Sequence, residues 1–397
     1  MGEPKLRFKA DDGSDFPDWE GMTLGDVGSV AMCKRVFKEQ TREVGDVPFF
    51  KIGTFGGVPD AYISKSLFDE LKSKYAYPEV GTILLSASGT IGRQVEYKGE
   101  DAYYQDSNIV WLEHDDTVLD SYLKQFYSVV KWQGLEGSTI KRLYNKTILD
   151  TPFYRPSLPE QRKIADLLSA VDDVITAQEV EVAAWEKRKK GVMQKLFSQE
   201  VRFKADDGSD FPDWEEKTLG EICEQLKASI DPRNNPTKQF IEYSMPAYDN
   251  HMAAQAVLGQ SMNSARKILS APCVLINKLN VRKRRIWVVE HPEDNAVCSS
   301  EFVPLTSAEF DLRFLGYLAM TDSFTGYLLD CSSGSSNSQK RVTPDTILQY
   351  LVSLPSLPEQ RKIADCLTTL DDVIAKAKDE LDAWRELKKG LLQQMFV

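Results

Sequence analysis

The chain has 397 residues, a formal net charge of -11, 42% hydrophobic and 27% charged residues. That is enough for two or three domains of ordinary globular composition, and no apolar run reaches the length of a membrane-spanning helix. An acidic total argues against a nucleic-acid partner, because phosphate contact needs local positive charge. The acids cluster, however, at Asp11-Asp12, Asp15 and Asp18 and again at Asp206-Asp207, Asp210 and Asp213, so basic faces can exist elsewhere. The start, Met1-Gly2-Glu3-Pro4-Lys5, has no apolar signal region, so a cytoplasmic protein is expected. Six cysteines without a CxxC read as reduced core residues, and the three histidines, His114, His251 and His291, lack ligand-spaced partners. No metal site is expected.

The first readable stretch is an arm, Leu6-Arg7-Phe8-Lys9-Ala10-Asp11-Asp12-Gly13-Ser14-Asp15-Phe16-Pro17-Asp18-Trp19-Glu20, leading into Thr23-Leu24-Gly25. Residues 26–155 then mix short β-like runs with helices. Pro48 to Gly53 and Thr82 to Ser86 read as strands, Ser64 to Tyr75 and Leu119 to Trp132 as helices. After the second strand comes Ser86-Ala87-Ser88-Gly89-Thr90-Ile91-Gly92-Arg93. Its small residues let the backbone approach a ligand and Arg93 offers a fork of donors, although a plain hairpin turn has the same composition. Near the end of the region Gly137-Ser138-Thr139-Ile140 precedes the basic pair Lys141-Arg142.

A long helix follows, opened by Pro156-Ser157-Leu158-Pro159-Glu160-Gln161-Arg162-Lys163-Ile164-Ala165 and reaching Phe197. Pro159 suits a first turn, and Glu160 suits the positive end of the helix dipole. Ile164, Leu168, Val171, Ile175, Val182 and Trp185 fall in alternating steps of four and three, the seam of a coiled coil. Gln178 and Lys189 interrupt that seam.

The chain then repeats itself. Val201-Arg202-Phe203-Lys204-Ala205-Asp206-Asp207-Gly208-Ser209-Asp210-Phe211-Pro212-Asp213-Trp214-Glu215 is a second arm, leading into Thr218-Leu219-Gly220. Residues 223–354 carry strands at Cys273 to Ile276 and Arg285 to Val289 and a helix from Asp311 to Leu329. Between those strands lies Asn277-Lys278-Leu279-Asn280-Val281-Arg282-Lys283-Arg284-Arg285, with five positive charges among residues 278–285. Such a run is usually a solvated face. Following a buried strand and including Asn280, it also suits phosphates and base edges, since Arg reads guanine and Asn adenine in the major groove. Gly334-Ser335-Ser336-Asn337-Ser338-Gln339 precedes a second basic pair, Lys340-Arg341. A second long helix opens with Leu357-Pro358-Glu359-Gln360-Arg361-Lys362-Ile363-Ala364 and ends at Phe396. Its seam is Ile363, Leu367, Leu370, Ile374, Leu381 and Trp384, interrupted by Ala377 and Lys388. Each long helix has about 39 residues and would extend roughly 58 Å. Two such matched helices read as partners for each other.

The protein is thus a tandem duplication, with shared ends around divergent α+β middles. The join Phe197-Ser198-Gln199-Glu200-Val201-Arg202-Phe203 is matched by Phe396-Val397 and Lys5-Leu6-Arg7-Phe8, so the terminal segments are expected to meet. No GxxxxGK phosphate loop or dinucleotide-binding GxGxxG is present. Asn234-Asn235-Pro236-Thr237 lacks the second proline and aromatic of an amino-methyltransferase motif. Pro212-Asp213-Trp214-Glu215-Glu216-Lys217 is too compressed for a nuclease site. No catalytic residues are assigned.

Essentially the whole chain resembles the specificity subunit of a type I restriction-modification system. The resemblance is carried by the doubled Leu-Pro-Glu-Gln-Arg-Lys-Ile-Ala helices, the arms at Trp19 and Trp214, and Gly89-Thr90-Ile91-Gly92 after a strand. Lys278-Leu279-Asn280-x-Arg282 resembles a second recognition-domain subtype, with Val281 where a proline is usual. The resemblance implies an α+β, pseudo-two-fold tandem repeat with two target recognition domains separated by two long antiparallel coiled-coil helices. The expected divisions are 1–155 and 199–354 for the domains, 156–198 and 355–397 for the spacer helices.

It further implies a non-catalytic reader of double-stranded DNA that recognises a bipartite asymmetric site. Two methyltransferase subunits and restriction/translocase subunits would dock on it. S-adenosylmethionine would belong to the methyltransferase, and this chain would hold no cofactor. Expected DNA contacts are Ser88, Gly89, Thr90, Gly92, Arg93, Lys141 and Arg142 in the first half. In the second they are Lys278, Asn280, Arg282, Lys283, Arg284, Arg285, Lys340 and Arg341. The alternatives are a coiled-coil scaffold that binds only protein, and a self-contained DNA-modifying enzyme.

Overall fold

The computed structural model describes residues 4–132, 142–334 and 339–396. The fold is α+β, in two compact units. One comprises Met1–Glu179 with Asp379–Val397, the other Val180–Lys378. The first long helix runs Leu158–Phe197 and the second Leu357–Phe396, so each contributes to both units.

The first unit contains an antiparallel four-stranded sheet in the order Gly28–Ala31, Ile109–His114, Ile83–Ser86, Gln94–Glu96. The second unit has the same order in Glu224–Gln225, Phe302–Thr306, Cys273–Asn277, Ile286–Val289. In both, the strand that leads into the candidate loop is inside the sheet and buried along its length. A two-stranded ribbon, Glu20–Thr23 with Pro152–Arg155 or Glu215–Thr218 with Leu351–Leu354, closes each unit. The divergence lies in the remaining sheet. It is three-stranded in the first unit, around Val47–Phe50, and five-stranded in the second, around Ala296–Ser299.

The repeated motifs have local causes. Thr23 and Thr218 close capping boxes with Asp26 and Glu221. The glycine of Thr-Leu-Gly is favoured by proximity: a Cβ on Gly25 would crowd the Leu149 carbonyl oxygen at 3.2 Å, and one on Gly220 that of Leu348 at 3.2 Å. Glu160 is fully buried and does more than face a helix dipole. It accepts Arg7 Nε (3.1 Å), Arg7 Nη2 (2.9 Å) and Trp19 Nε1 (3.0 Å). Glu359 accepts the same three donors from Arg202 and Trp214, at 3.1, 2.8 and 3.0 Å. Gln161 accepts the Leu119 N–H and donates to the carbonyls of Thr117 and Pro156, each at 2.9 Å. Gln360 does likewise with Asp311, Glu309 and Pro355. The Glu-Gln pair therefore clasps the arm on one side and the α+β domain on the other.

The long helices pair antiparallel in each unit. Lys388 meets Asp172 and Arg385 meets Glu179 in the first, while Lys189 meets Asp371 and Lys378 meets Glu186 in the second. The seam is not purely helix-on-helix. Ile164 and Leu168 share a core with Leu24, Tyr122, Phe126 and Phe153 of the α+β domain as well as with Leu392, Met395 and Phe396. Ile363 and Leu367 do so with Leu219, Phe314 and Leu196. Val171, Val182, Ile374 and Leu381 are buried, whereas Ile175 and Leu370 are half-buried. Trp185 and Trp384 depart from expectation and are only half-buried. The Trp185 indole lies on its own helix, its N–H 3.4 Å from Glu181 and the Arg188 guanidinium 5.2 Å from its ring. Leu6 N donates to Gln394 O at 3.0 Å, the counterpart of Val201 N to Lys195 O at 3.3 Å.

Two further expectations are corrected. The helix read over 311–329 breaks into Leu312–Ala319 and Asp322–Asp330. Thr321 causes the break: its hydroxyl accepts from Phe324 N (3.2 Å) and donates to Leu318 O (2.7 Å), satisfying groups that a continuous helix would pair. Of the six cysteines, Cys331 is exposed at the end of the second of these helices and is no core residue, and Cys366 is only partly buried.

Candidate nucleic-acid interface

In the first unit the loop between Ile83–Ser86 and Gln94–Glu96 is held from inside. Ser86 accepts the Arg93 N–H on its hydroxyl (2.8 Å) and the Gly92 N–H on its carbonyl (2.9 Å). Gly89 and Gly92 have φ of 66° and 77°, and a Cβ on Gly92 would lie 2.7 Å from Trp132 Nε1. This turn therefore needs glycine at both places. Gly89, Thr90 and Arg93 are exposed and Ser88 is half-buried. Ser88 bridges Arg142, and Leu143 N donates to Ala87 O at 2.8 Å. Arg142 Nη2 donates to Ser107 O (2.9 Å), and Arg93 Nη1 to Phe55 O (2.8 Å). Both guanidiniums bind neutral carbonyls, so no carboxylate cancels their charge among the described residues. Lys141 lies outside the described residues.

In the second unit Asn277 takes the role of Ser86. Its side chain accepts the Arg285 N–H (3.0 Å) and donates to Leu279 O (2.9 Å). Asn280 has φ 53°, a left-handed conformation that asparagine tolerates better than most residues. Val281 is buried and roots the loop, while Arg282, Lys283 and Arg284 are exposed and Lys278 is half-buried. Asn280 N donates to Lys340 O (2.7 Å), Val342 N donates to Lys278 O (3.0 Å), and Leu279 bridges Arg341. The half-buried Lys340 and exposed Arg341 thus sit beside the 278–285 loop, as Arg142 sits beside the 86–93 loop.

Arg285 is a correction. It is 8% exposed, and its Nε and Nη2 grip the Asp249 carboxylate at 2.8 and 2.6 Å. The Arg285 guanidinium holds the Asp249 carboxyl below its ordinary range. Its side chain turns toward the helix Met245–Asp249, so it buttresses the loop instead of presenting charge. Arg284 also spends part of its donor capacity internally, on Met320 O (2.9 Å) and the Asp322 carboxylate. Arg282 forms no ion pair among the described residues.

The sequence reading missed the turn over residues 51–57. Phe55 O receives Arg93, and a Cβ on Gly89 would touch Ile52 at 3.7 Å. Beside this turn is a groove of about 580 Å³ of mixed charge, lined in part by Lys38, Arg42 and Lys51 and by Glu43 and Asp60, with Lys51 paired to Asp60 at 2.8 Å. The only sequence signal was Gly53, Gly56 and Gly57 beside a lysine. Among the described residues, no group of three or more His, Cys, Asp or Glu is arranged to hold a metal ion. No described helix is long and apolar enough to cross a membrane.

The model of one protein family, the type I restriction modification DNA specificity domain, matches this chain twice, over residues 17–183 and 212–383. The chain belongs to that family. A Haemophilus influenzae protein described as a type I restriction enzyme specificity subunit is 57% identical over 146 residues, 36% of this chain and 38% of that one. The chain thus matches well under half of that relative's length. The MjaVIII specificity subunit of Methanocaldococcus jannaschii is 23% identical over 421 residues, covering 98% of this chain and 95% of its own. The crystal structure of the type I S subunit from M. genitalium has the same fold, with TM-score 0.58, 16% identity, and 100% and 99% of the two chains covered. A structure from a study of type I R-M complex assembly gives TM-score 0.55 at 14% identity, over 96% and 97%. The specificity family therefore includes both halves of this duplication.

Proposed function

We propose that each α+β domain reads one half of a bipartite, asymmetric DNA site, and that the paired long helices dock methyltransferase and restriction subunits. One observation carries this reading. In both units a loop leaving a buried strand is pinned from inside by Ser86 or Asn277, and a second basic segment is drawn against it. Rigid backbone with outward guanidinium and ammonium groups suits phosphates and base edges. Arg93, Arg142, Lys278, Arg282, Lys283 and Lys340 are the contacts this geometry favours, whereas Arg341, like Arg284, spends part of its donor capacity on a carboxylate, that of Glu301 at 2.9 Å. Asn280 is the candidate for adenine. Chemistry on DNA would be supplied by the partner methyltransferase with its S-adenosylmethionine, and cleavage by the restriction subunit, with this chain acting as reader.

The test is methylome sequencing of cells that carry this chain with its methyltransferase. The expected result is methylated adenine in a split motif with two unlike halves. Adenine methylation unchanged by deleting the chain counts against the reading. DNA binding by the methyltransferase alone, equal in affinity and sequence preference to the complex, favours a scaffold.

A further inference from the structure

The long helices carry a lysine at equivalent seam positions, Lys189 and Lys388, where a coiled coil ordinarily places an apolar residue. Each meets an aspartate of the other long helix. Lys388 Nζ lies 2.6 Å from Asp172 Oδ1, and Lys189 Nζ 2.5 Å from Asp371 Oδ1. The second oxygen of each aspartate takes a donor from a third helix, which belongs to the α+β domain. Asp371 Oδ2 accepts Tyr317 OH at 2.8 Å, from the helix Leu312–Ala319. Asp172 Oδ2 accepts Gln125 Nε2 at 3.2 Å, from the helix Asp120–Val129. Tyr317 OH is also 3.1 Å from Thr368, and the Lys189 ammonium sits 5.0 Å from its ring centroid. The two domains thus use unlike residues, tyrosine and glutamine, to reach the same carboxylate position.

Stability alone does not account for this arrangement. A partly buried ion pair at a seam is generally no better than a hydrophobic pair of similar volume, and the best attested use of such a pair is to specify register. Gln125 sharpens the point. It is fully buried, and its Oε1 has no hydrogen-bond partner among the described residues. An unsatisfied buried acceptor is a cost, yet its amide nitrogen is aimed at Asp172.

We infer that Asp172 and Asp371 are positioning residues. Each locks one α+β domain, in rotation and along the axis, onto the paired long helices, and so sets how strictly one gap length between half-sites is accepted. This rests on the split-site reading proposed above. Each added base pair moves a half-site by roughly 3.4 Å and turns it by about 35°. A domain held by a three-helix lock resists that displacement. A domain that has lost the lock keeps the Gln161 or Gln360 clasp at the helix start and apolar packing, which is non-directional, and follows it more easily.

The test uses the full chain in complex with its methyltransferase. Binding is measured to duplexes carrying the native gap and gaps one base pair shorter and longer, beside melting curves. Gln125→Leu removes the third helix's bond to Asp172, and Tyr317→Phe removes its bonds to Asp371 and Thr368 while leaving the Arg313–Asp365 pair (2.7 Å) in place. Each is expected to keep native-gap affinity within about threefold and to lower the preference over the altered gaps roughly tenfold, the value of one charge-assisted hydrogen bond. Gln125→Leu is expected to melt no earlier than wild type, because it also removes the unsatisfied acceptor; a purely structural role predicts earlier melting instead. Lys189→Met combined with Tyr317→Phe is expected to be non-additive in gap preference. Variants that keep wild-type gap preference, or lose affinity equally for every gap, overturn the inference alone. A wild-type complex indifferent to gap length overturns the split-site reading, and this inference with it.

Discussion

Arg7 and Glu160 are separated by 153 residues of chain, yet Arg7 donates Nε and Nη2 to the two carboxylate oxygens of Glu160, which is fully buried. Arg202 and Glu359 repeat the contact across 157 residues. Each pair ties an acidic arm to the first turn of a long helix. Removing the carboxylate leaves an indole N–H without its acceptor and takes two hydrogen bonds from a guanidinium that keeps the carbonyls of Phe16 and Pro17, or of Phe211 and Pro212. Glu160→Ala and Glu359→Ala are each expected to destabilise by about 2–3 kcal/mol, since the arginine left behind is partly exposed and keeps carbonyl acceptors. Melting curves measure the loss, and limited proteolysis is expected to open the arm at 6–20 or 201–215 respectively. An unchanged melting temperature and a protected arm contradict the clasp.

Those contacts also show where sequence reading stops. The doubled Leu-Pro-Glu-Gln words and the seam spacing were legible, because repetition and heptad period are properties of the string itself. Glu160 was legible only as a helix-dipole residue, since nothing local points to Arg7. The loops after Ser86 and Asn277 were legible as small or basic, and their partners Arg142 and Lys340-Arg341 as basic pairs. That Arg285 turns inward was not, because Asp249 lies 36 residues away on a helix defined by its own cap. Trp185 shows the opposite error: heptad position predicts which side of a helix a residue favours, not whether a large indole is covered.

Arg282 and Arg285 are therefore expected to part company. Arg282→Ala should weaken DNA binding without moving the melting temperature. A lost phosphate contact lowers the salt slope by about one, and a lost bidentate base contact costs about 1–3 kcal/mol at one position of the site. Arg285→Ala should lower the melting temperature, as should Asp249→Ala, since either breaks the same pair. The Asp249 carboxylate is partly exposed, so the cost is about 1–2 kcal/mol rather than that of a fully buried pair. Titrations at several salt concentrations beside melting curves separate the two roles. Equal behaviour of the two arginine variants in both assays defeats the assignment.

The frame and the readers are expected to separate. The four-stranded sheet, ribbon and clasp recur in both units, whereas the other sheet has three strands in one and five in the other. Replacing residues 26–155 with the equivalent region of another family member, with Glu160 and Gln161 retained, should change one half of the methylated motif and leave the other intact. Methylome sequencing reads the outcome, and a change in both halves is incompatible with independent readers.

A fragment ending near Phe197 is expected to dimerise and to direct a palindromic split site. Such a fragment keeps Ile164 and Leu168 but loses Leu392, Met395 and Phe396, with which they share a core. It also keeps Leu196 but loses Ile363 and Leu367, its own core neighbours. A second copy supplies replacements, because Met193, Leu196 and Phe197 hold the repeat positions of Leu392, Met395 and Phe396, and Ile164 and Leu168 those of Ile363 and Leu367. The charges match too, since Lys189 of one copy can take the place of Lys388 opposite Asp172 of the other. An exposed apolar stripe along so long a helix favours association, and identical stripes pair about a two-fold axis. Two copies of the first reader then face the DNA in inverted orientation, so one half-site is read twice. Light scattering tests the dimer, and mapping methylated adenines in the presence of methyltransferase tests the motif. A soluble monomer refutes the pairing, and a dimer that still directs the asymmetric motif of the whole chain refutes the assignment of the first half-site to the first domain.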